Sequence, residues 1–295
     1  MKLGRGDAEI RTAQPLARTV TLLLVGSLTI MAATAVSPSL PAIEARFAGV
    51  PQAPLLTRLL VTLPALFIVL CAPFAGGVID RYGRRRLLIG AVLVYALGGL
   101  SGLLLDSLPA LLAGRALLGF GVAGIMTTAT ALAGDYYTGA ARDRFMGLQN
   151  SAMGFGGLLY LTAGGVLAEL HWRAPFAIYG LALLLLPALV AWIAEPPSLR
   201  ASAAAADAAP RRPQRALIAT LFFASVVNSV VFYVGPTQLP FLLQGFGPDA
   251  PTRTGLALGM ITLFSALASL GYGRLRPRLG LLGGFALGFG LLASG

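Results

Sequence analysis

The chain has 295 residues, of which 57% are hydrophobic and only 11% charged, with 37 glycines and a mean hydropathy of +0.81. A soluble domain cannot hide that much apolar surface from water, so most cytosolic enzymes are excluded. The net charge of +11 would raise nucleic acid as a partner in a soluble protein, but here the basic residues cluster in short loops between apolar runs, so no nucleic acid is expected. One cysteine (Cys71) and one histidine (His171) leave nothing from which to build an intrachain disulfide, a cysteine metal cluster or a zinc site of the usual kind, and no cofactor is expected.

The apolar runs have the roughly 18–25 residues that a helix needs to cross about 30 Å of hydrocarbon. Residues 1–18 carry Lys2, Arg5, Arg11 and Arg18 and predict a cytoplasmic N-terminal tail. The run that follows is too long for a cleaved signal peptide, so 19–40 predicts a first membrane span. Further spans are predicted near 57–78, 87–105, 108–133, 146–168, 174–194, 216–243 and 254–272, with a ninth over 280–295. Pro38, Pro41, Pro64 and Pro73 are expected to kink or end helices. Residues 195–215, rich in Ala, Pro and Arg, have no apolar face to bury and predict a flexible cytoplasmic linker.

The expected organisation is an all-α membrane protein with a six-helix N-terminal bundle over 19–194, the linker, and an incomplete C-terminal bundle over 216–295. Loops on the side of the N-terminus hold seventeen of the 22 basic residues, and those on the other side hold Arg46, Arg58, Arg173 and Arg253. That bias predicts a cytoplasmic N-terminus.

A duplication is visible between the two parts. The loop Gly76-Gly-Val-Ile-Asp80-Arg81-Tyr-Gly83-Arg84-Arg85-Arg86 follows the second span of the first bundle. Gly273, Leu275, Arg278 and Gly280 repeat it after the second span of the next, with Pro277 opposite Asp80. Parallel halves of this sort build one large class of transporters.

With Arg115-Ala-Leu-Leu-Gly119 in the fourth span, Asp135-Tyr-Tyr and Arg142-Asp-Arg144 in the next inner loop, and His171-Trp-Arg-Ala-Pro-Phe176, these residues resemble the major facilitator superfamily, particularly its drug:proton antiporter branch. The resemblance implies alternating access of two helical bundles. It also implies a latch at the cytoplasmic end formed by Gly76, Asp80, Arg81, Gly83, Arg84 and Arg85 with Asp135 and Arg142; the alternative is an ordinary positive-inside anchor. The chain departs from that branch in two places. Gly156-x-x-x-Tyr160-Leu161-x-x-Gly164-Gly165 lacks the central Gly-Pro of the antiporter motif, and the family's roughly twelve helices imply that this chain is a fragment or a truncated product.

Arg115 is the only charge well inside a predicted span. Placing Arg in hydrocarbon costs about 2.5–3.5 kcal/mol on insertion scales, so it should face a water-filled cavity or a partner and act in coupling or substrate orientation, unless it snorkels to the outer surface. All the acids fall in loops or at span ends, which leaves Asp80 and Asp135 at the inner rim as the visible candidates for a proton carrier. Thr34, Met126, Thr130, Asn150, Met153, Tyr160, Asn228, Tyr233 and Gln238 lie near mid-span and could line a solute cavity or serve helix packing.

The function expected from this is secondary transport of a small amphipathic solute by a monomer in the bacterial cytoplasmic membrane, with the bilayer and the solute as its partners. Efflux driven by a proton gradient leads. Uptake by symport, or a truncated protein that does not transport, are the alternatives. A membrane enzyme is disfavoured because the sole histidine sits in an outer turn.

Overall fold

The computed structural model describes residues 5–196 and 215–267, together with positions 283 and 290. The predicted ninth span, the repeated loop at 273–280 and the linker over 197–214 lie outside the described residues apart from those two positions.

Helix α1 (Arg5–Thr34) starts within the predicted tail and ends before Pro38. The chain then passes through a 3-10 turn, Ser37–Ser39, into the short α2 (Leu40–Arg46), because Pro38 and Pro41 lack the amide hydrogens that would continue α1. Helix α3 (Ala53–Tyr82) runs unbroken past Pro64 and Pro73. It is followed by α4 (Arg84–Leu100), α5 (Leu108–Tyr136) and α6 (Gly139–Leu170). The sixth predicted span is not one helix. It is a 3-10 segment, Ala174–Gly180, then α7 (Leu181–Leu184) and α8 (Leu186–Trp192), with Pro175 and Pro187 in the first turns of the first and last pieces. The second bundle contributes α9 (Arg215–Leu243), which holds Pro236 and Pro240 in its interior, and α10 over 250–267.

Among the described residues, seven helical stretches are long and apolar enough to cross a bilayer, among them Leu16–Arg46, Leu108–Tyr136 and Val226–Phe246. Successive long helices run antiparallel, so Tyr82, Arg84, Tyr136 and Gly139 gather at one end of the bundle and Thr34, Ala53, Leu108 and Leu170 at the other. Tyr95 and Val92 of α4 and Leu118 and Val122 of α5 are buried together at the centre. The outward surface is apolar, with Phe74, Leu159, Leu184 and Phe223 exposed, as a protein solvated by hydrocarbon requires. Inside, two buried hydroxyls bond within their own helices: Thr34 donates to the Ile30 carbonyl and Thr254 to the Ala250 carbonyl.

The two bundles meet where α6 packs on α10. A side-chain carbon at Gly255 would overlap the Leu161 carbonyl, and one at Gly154 would overlap Ala266. Small residues are what let the two backbones approach this closely. Gly255→Val is expected to force the helices apart at a cost of about 1–3 kcal/mol, read as a lower unfolding temperature of the purified full-length protein.

Candidate functional site

Helix α4 begins with three arginines, an unfavourable choice for a helix N-terminus, where the backbone dipole is positive and the first amides lack partners. Its own N-cap is Gly83, which has no side chain to accept from them and takes a φ of 85°. The missing acceptor comes from more than a hundred residues further along the chain. Glu195, just past α8, accepts from the Arg84 amide at 2.7 Å and the Arg85 amide at 2.8 Å. A side-chain carbon at Gly83 would press on that carboxylate and would also strain the left-handed backbone.

With its amide held this way, Arg84 turns its guanidinium toward α5, where Nε lies 2.5 Å from Oδ2 of Asp135. Arg85 reaches back to donate to the Val190 carbonyl at 2.6 Å. Tyr136 donates to the Ala194 carbonyl, and the Arg18 guanidinium stacks 4.2 Å from the Tyr136 ring centre. Helices α1, α4, α5 and α8 are thereby tied together at the Arg84 end. Of the expected latch residues, Gly83, Arg84, Arg85 and Asp135 meet here. Arg81 is exposed, with its guanidinium near the Tyr82 ring, and Arg142 is exposed on the neighbouring wall. Gly76 and Asp80 fall in the last turns of α3, and their side chains lie outside the described set.

A groove of about 590 Å³ opens beside this ion pair, lined by Arg84, Asp135, Arg142, Thr130, Met126 and Ile68 among others. Met126 and Ile68 also belong to a second, central cavity of about 370 Å³ between α1, α3, α5, α6 and α9. The two spaces adjoin, giving a path from the middle of the bundle to its Arg84 end. Met153, Asn228 and Tyr233 line the central cavity together with Met126.

The other expected cavity residues are placed elsewhere. Thr34 is buried against its own helix, and Tyr160 shares a hydrogen bond of 2.9 Å with Ser27 that joins α6 to α1. Asn150 and Gln238 are exposed. Sequence reasoning missed Thr29 and Phe232, which line the cavity, and Glu195.

Arg115 is 1% exposed and points into the protein interior, not to the outer surface. Its NH1 donates to the Tyr179 hydroxyl at 2.7 Å, and its guanidinium lies 4.7 Å and 4.9 Å from the ring centres of Phe176 and Tyr179. The Tyr179 hydroxyl in turn lies 3.4 Å from the Met31 and Ala32 carbonyls of α1, and Tyr95 donates to the Leu28 carbonyl at 2.7 Å. Arg115 thus acts on the turn of α1 that supplies Thr29, Ile30 and Ala32 to the cavity wall.

At the opposite end the bundles touch. Ser37 donates to the Pro236 carbonyl, and the Arg58 guanidinium lies 4.8 Å from the Phe241 ring centre. Pro38 and Pro41 face Pro240 and Pro251 across a small cleft. The central cavity is therefore bounded by contacts between the bundles at the Ser37 end and adjoins the groove at the Arg84 end.

Comparison with known proteins gives the arrangement a lineage. The chain is 32% identical over 201 residues to the 3-(3-hydroxy-phenyl)propionate transporter of Escherichia coli (strain K12), covering 63% of this chain and 48% of that protein. It is 37% identical over 125 residues to the class C tetracycline resistance protein of Escherichia coli, covering 40% of this chain and 29% of that one. The chain therefore spans about half the length of the first relative and less of the second. Among solved structures, a D-xylose-proton symporter matches with a TM-score of 0.67 at 18% identity, over 88% of this chain and 69% of that one. A bacterial homologue of the human lysosomal transporter Spinster, inward-facing and occupied, matches with the same score at 21% identity, over 89% and 61% of the two chains. At those identities the likeness is one of fold. The family model of the Major Facilitator Superfamily matches residues 22–295, nearly the whole chain, and the protein belongs to that superfamily.

Proposed function

We propose that this chain is part of a secondary transporter that moves a small amphipathic organic solute across the bacterial cytoplasmic membrane, with its N-terminus inside, by rocking one bundle against the other. The observation that carries the reading is the central cavity between the bundles. It adjoins a groove that ends at the Arg84–Asp135 pair, while contacts between the bundles bound it at the Ser37 end. A solute seated at Met126 has a way out past the charged end, as alternating access about a midplane site requires.

The ties at the Arg84 end form the latch. Glu195 caps α4, the capped helix presents Arg84 to Asp135, and breaking that set lets the end rearrange. Proton-driven export is the preferred direction: the tetracycline resistance protein and Multidrug resistance protein 2 of Bacillus subtilis (strain 168) are among the relatives. A proton gradient is the energy source consistent with Asp135 in the wall of the groove.

The test uses the full-length protein in cells that lack their major efflux systems, loaded with neutral and cationic amphipathic dyes. Lower dye retention than in cells without the protein, abolished by collapsing the proton gradient, is the expected result. Higher retention would make the protein an importer, and unchanged retention would remove the transport reading. Orientation is read from Arg86→Cys in a Cys71→Ala background. An impermeant maleimide should label that position in inverted vesicles and not in intact cells.

A further inference from the structure

Helix α9 carries two prolines in its interior, Pro236 and Pro240. Neither has an amide hydrogen, so the carbonyls four residues earlier, those of Phe232 and Pro236, receive no i+4 helix bond. At membrane depth an unpartnered carbonyl is costly, and such groups persist only where protein or a water-filled cavity satisfies them.

The two residues lie in different surroundings. The Pro236 carbonyl accepts from the fully buried hydroxyl of Ser37, across the bundle interface. Phe232 belongs to the wall of the central cavity, with Asn228 one turn before it and Tyr233 beside it. The rest of the wall is apolar apart from the Ser229 hydroxyl and the groups that follow. Met126 and Met153 offer thioethers, and the Thr29 hydroxyl already donates to the Gly26 carbonyl at 2.7 Å, leaving its lone pairs. Among the described lining residues none carries a charge. A carboxylate or an ammonium entering this space would lose its hydration without meeting an opposite charge.

We propose that the central cavity binds an uncharged molecule with an aromatic or alkyl body and a hydroxyl or amide N–H, which donates to the proline-freed carbonyl of Phe232 with Asn228 as the second polar contact. The assignment rests on the reading of the cavity as the solute chamber. It narrows that reading to a charge class and names the backbone atom that selects it. The same device serves twice in α9: one freed carbonyl holds the other bundle, and the other holds the solute.

A matched set separates the possibilities: 3-phenylpropan-1-ol, its methyl ether, 3-phenylpropionate and 3-phenylpropylammonium share one body and differ in head group. Binding of each, tritiated, is measured by scintillation proximity to the full-length protein in lipid nanodiscs. The alcohol is expected to bind most tightly of the four. Pro236→Ala returns an amide N–H to the Phe232 carbonyl and is expected to weaken the alcohol about tenfold while leaving the ether unchanged. Because losing a proline can straighten α9, Asn228→Ala serves as an independent variant, with the same differential loss expected. The assignment is overturned if either ionised compound binds as tightly as the alcohol, if alcohol and ether weaken alike in both variants, or if none of the four binds. The transport reading fails separately, on unchanged dye retention.

Discussion

Asp135→Asn in the full-length protein is expected to slow transport strongly while leaving expression and membrane insertion unchanged. The side chains of Asp135 and Arg84 are 8% and 22% exposed, so their attraction is only partly screened by water. Removing one charge leaves the other half-buried and unpaired, a loss of about 1–3 kcal/mol. Each 1.4 kcal/mol is a tenfold change in an equilibrium, so the state in which this end is tied should lose about tenfold or more in population. Arg84→Gln removes the same pair from the other side but keeps the backbone amide that Glu195 caps. The double variant should therefore be no worse than either single one. Transport rates and cysteine cross-linking between α4 and α5 measure this. Additive losses would mean that the two residues act apart, and wild-type rates would reduce the pair to a topological anchor.

Arg115→Met should leave folding intact or improve it, and should change transport. An arginine at this depth costs about 2.5–3.5 kcal/mol to insert. Against that stand one charge-assisted hydrogen bond, about 1.5–3 kcal/mol, and two aromatic faces worth up to about 2 kcal/mol each when dry. The Arg115 NH2 is moreover buried without a hydrogen-bond partner, a further cost of about 1–3 kcal/mol, so gains and costs overlap, stability alone does not explain a buried guanidinium, and a methionine of similar length fills the space without the charge.

Its consequence falls on α1. Arg115 holds the Tyr179 hydroxyl, and that hydroxyl lies against the carbonyls of the turn that walls the cavity. Tyr179→Phe should do the reverse. It keeps the ring but deprives a buried guanidinium of its acceptor, lowering stability by about 2–3 kcal/mol. Unfolding temperature in detergent and the pH dependence of transport separate the two. An Arg115→Met protein with unaltered transport and pH profile would make the residue a packing element only.

The spans were legible in the chain because hydrocarbon imposes one requirement, about twenty apolar residues in a row, that needs no partner to be read. The faces of those spans were not. A helix that is apolar all round carries no stripe to say which side turns inward. So Met126, Met153, Asn228 and Tyr233 line the cavity, whereas Asn150 and Gln238, chosen on the same grounds, are exposed. Glu195 read as the first residue of a linker, although one local sign existed: α4 opens on Gly83 and three arginines with no Ser, Thr, Asp or Asn to cap it, so its acceptor had to arrive from elsewhere.

The chain by itself determined that this protein lives in lipid and where its apolar runs and charged loops fall, since hydropathy and charge are summed along the backbone and act locally. Tertiary packing alone decided that Glu195 meets α4, that Arg115 is turned inward onto Tyr179, and that the Pro236 carbonyl of α9 finds Ser37 while Phe232 walls the cavity. Those outcomes depend on the rotation of each helix about its own axis. In a uniformly apolar segment that angle is set by the neighbours it packs against.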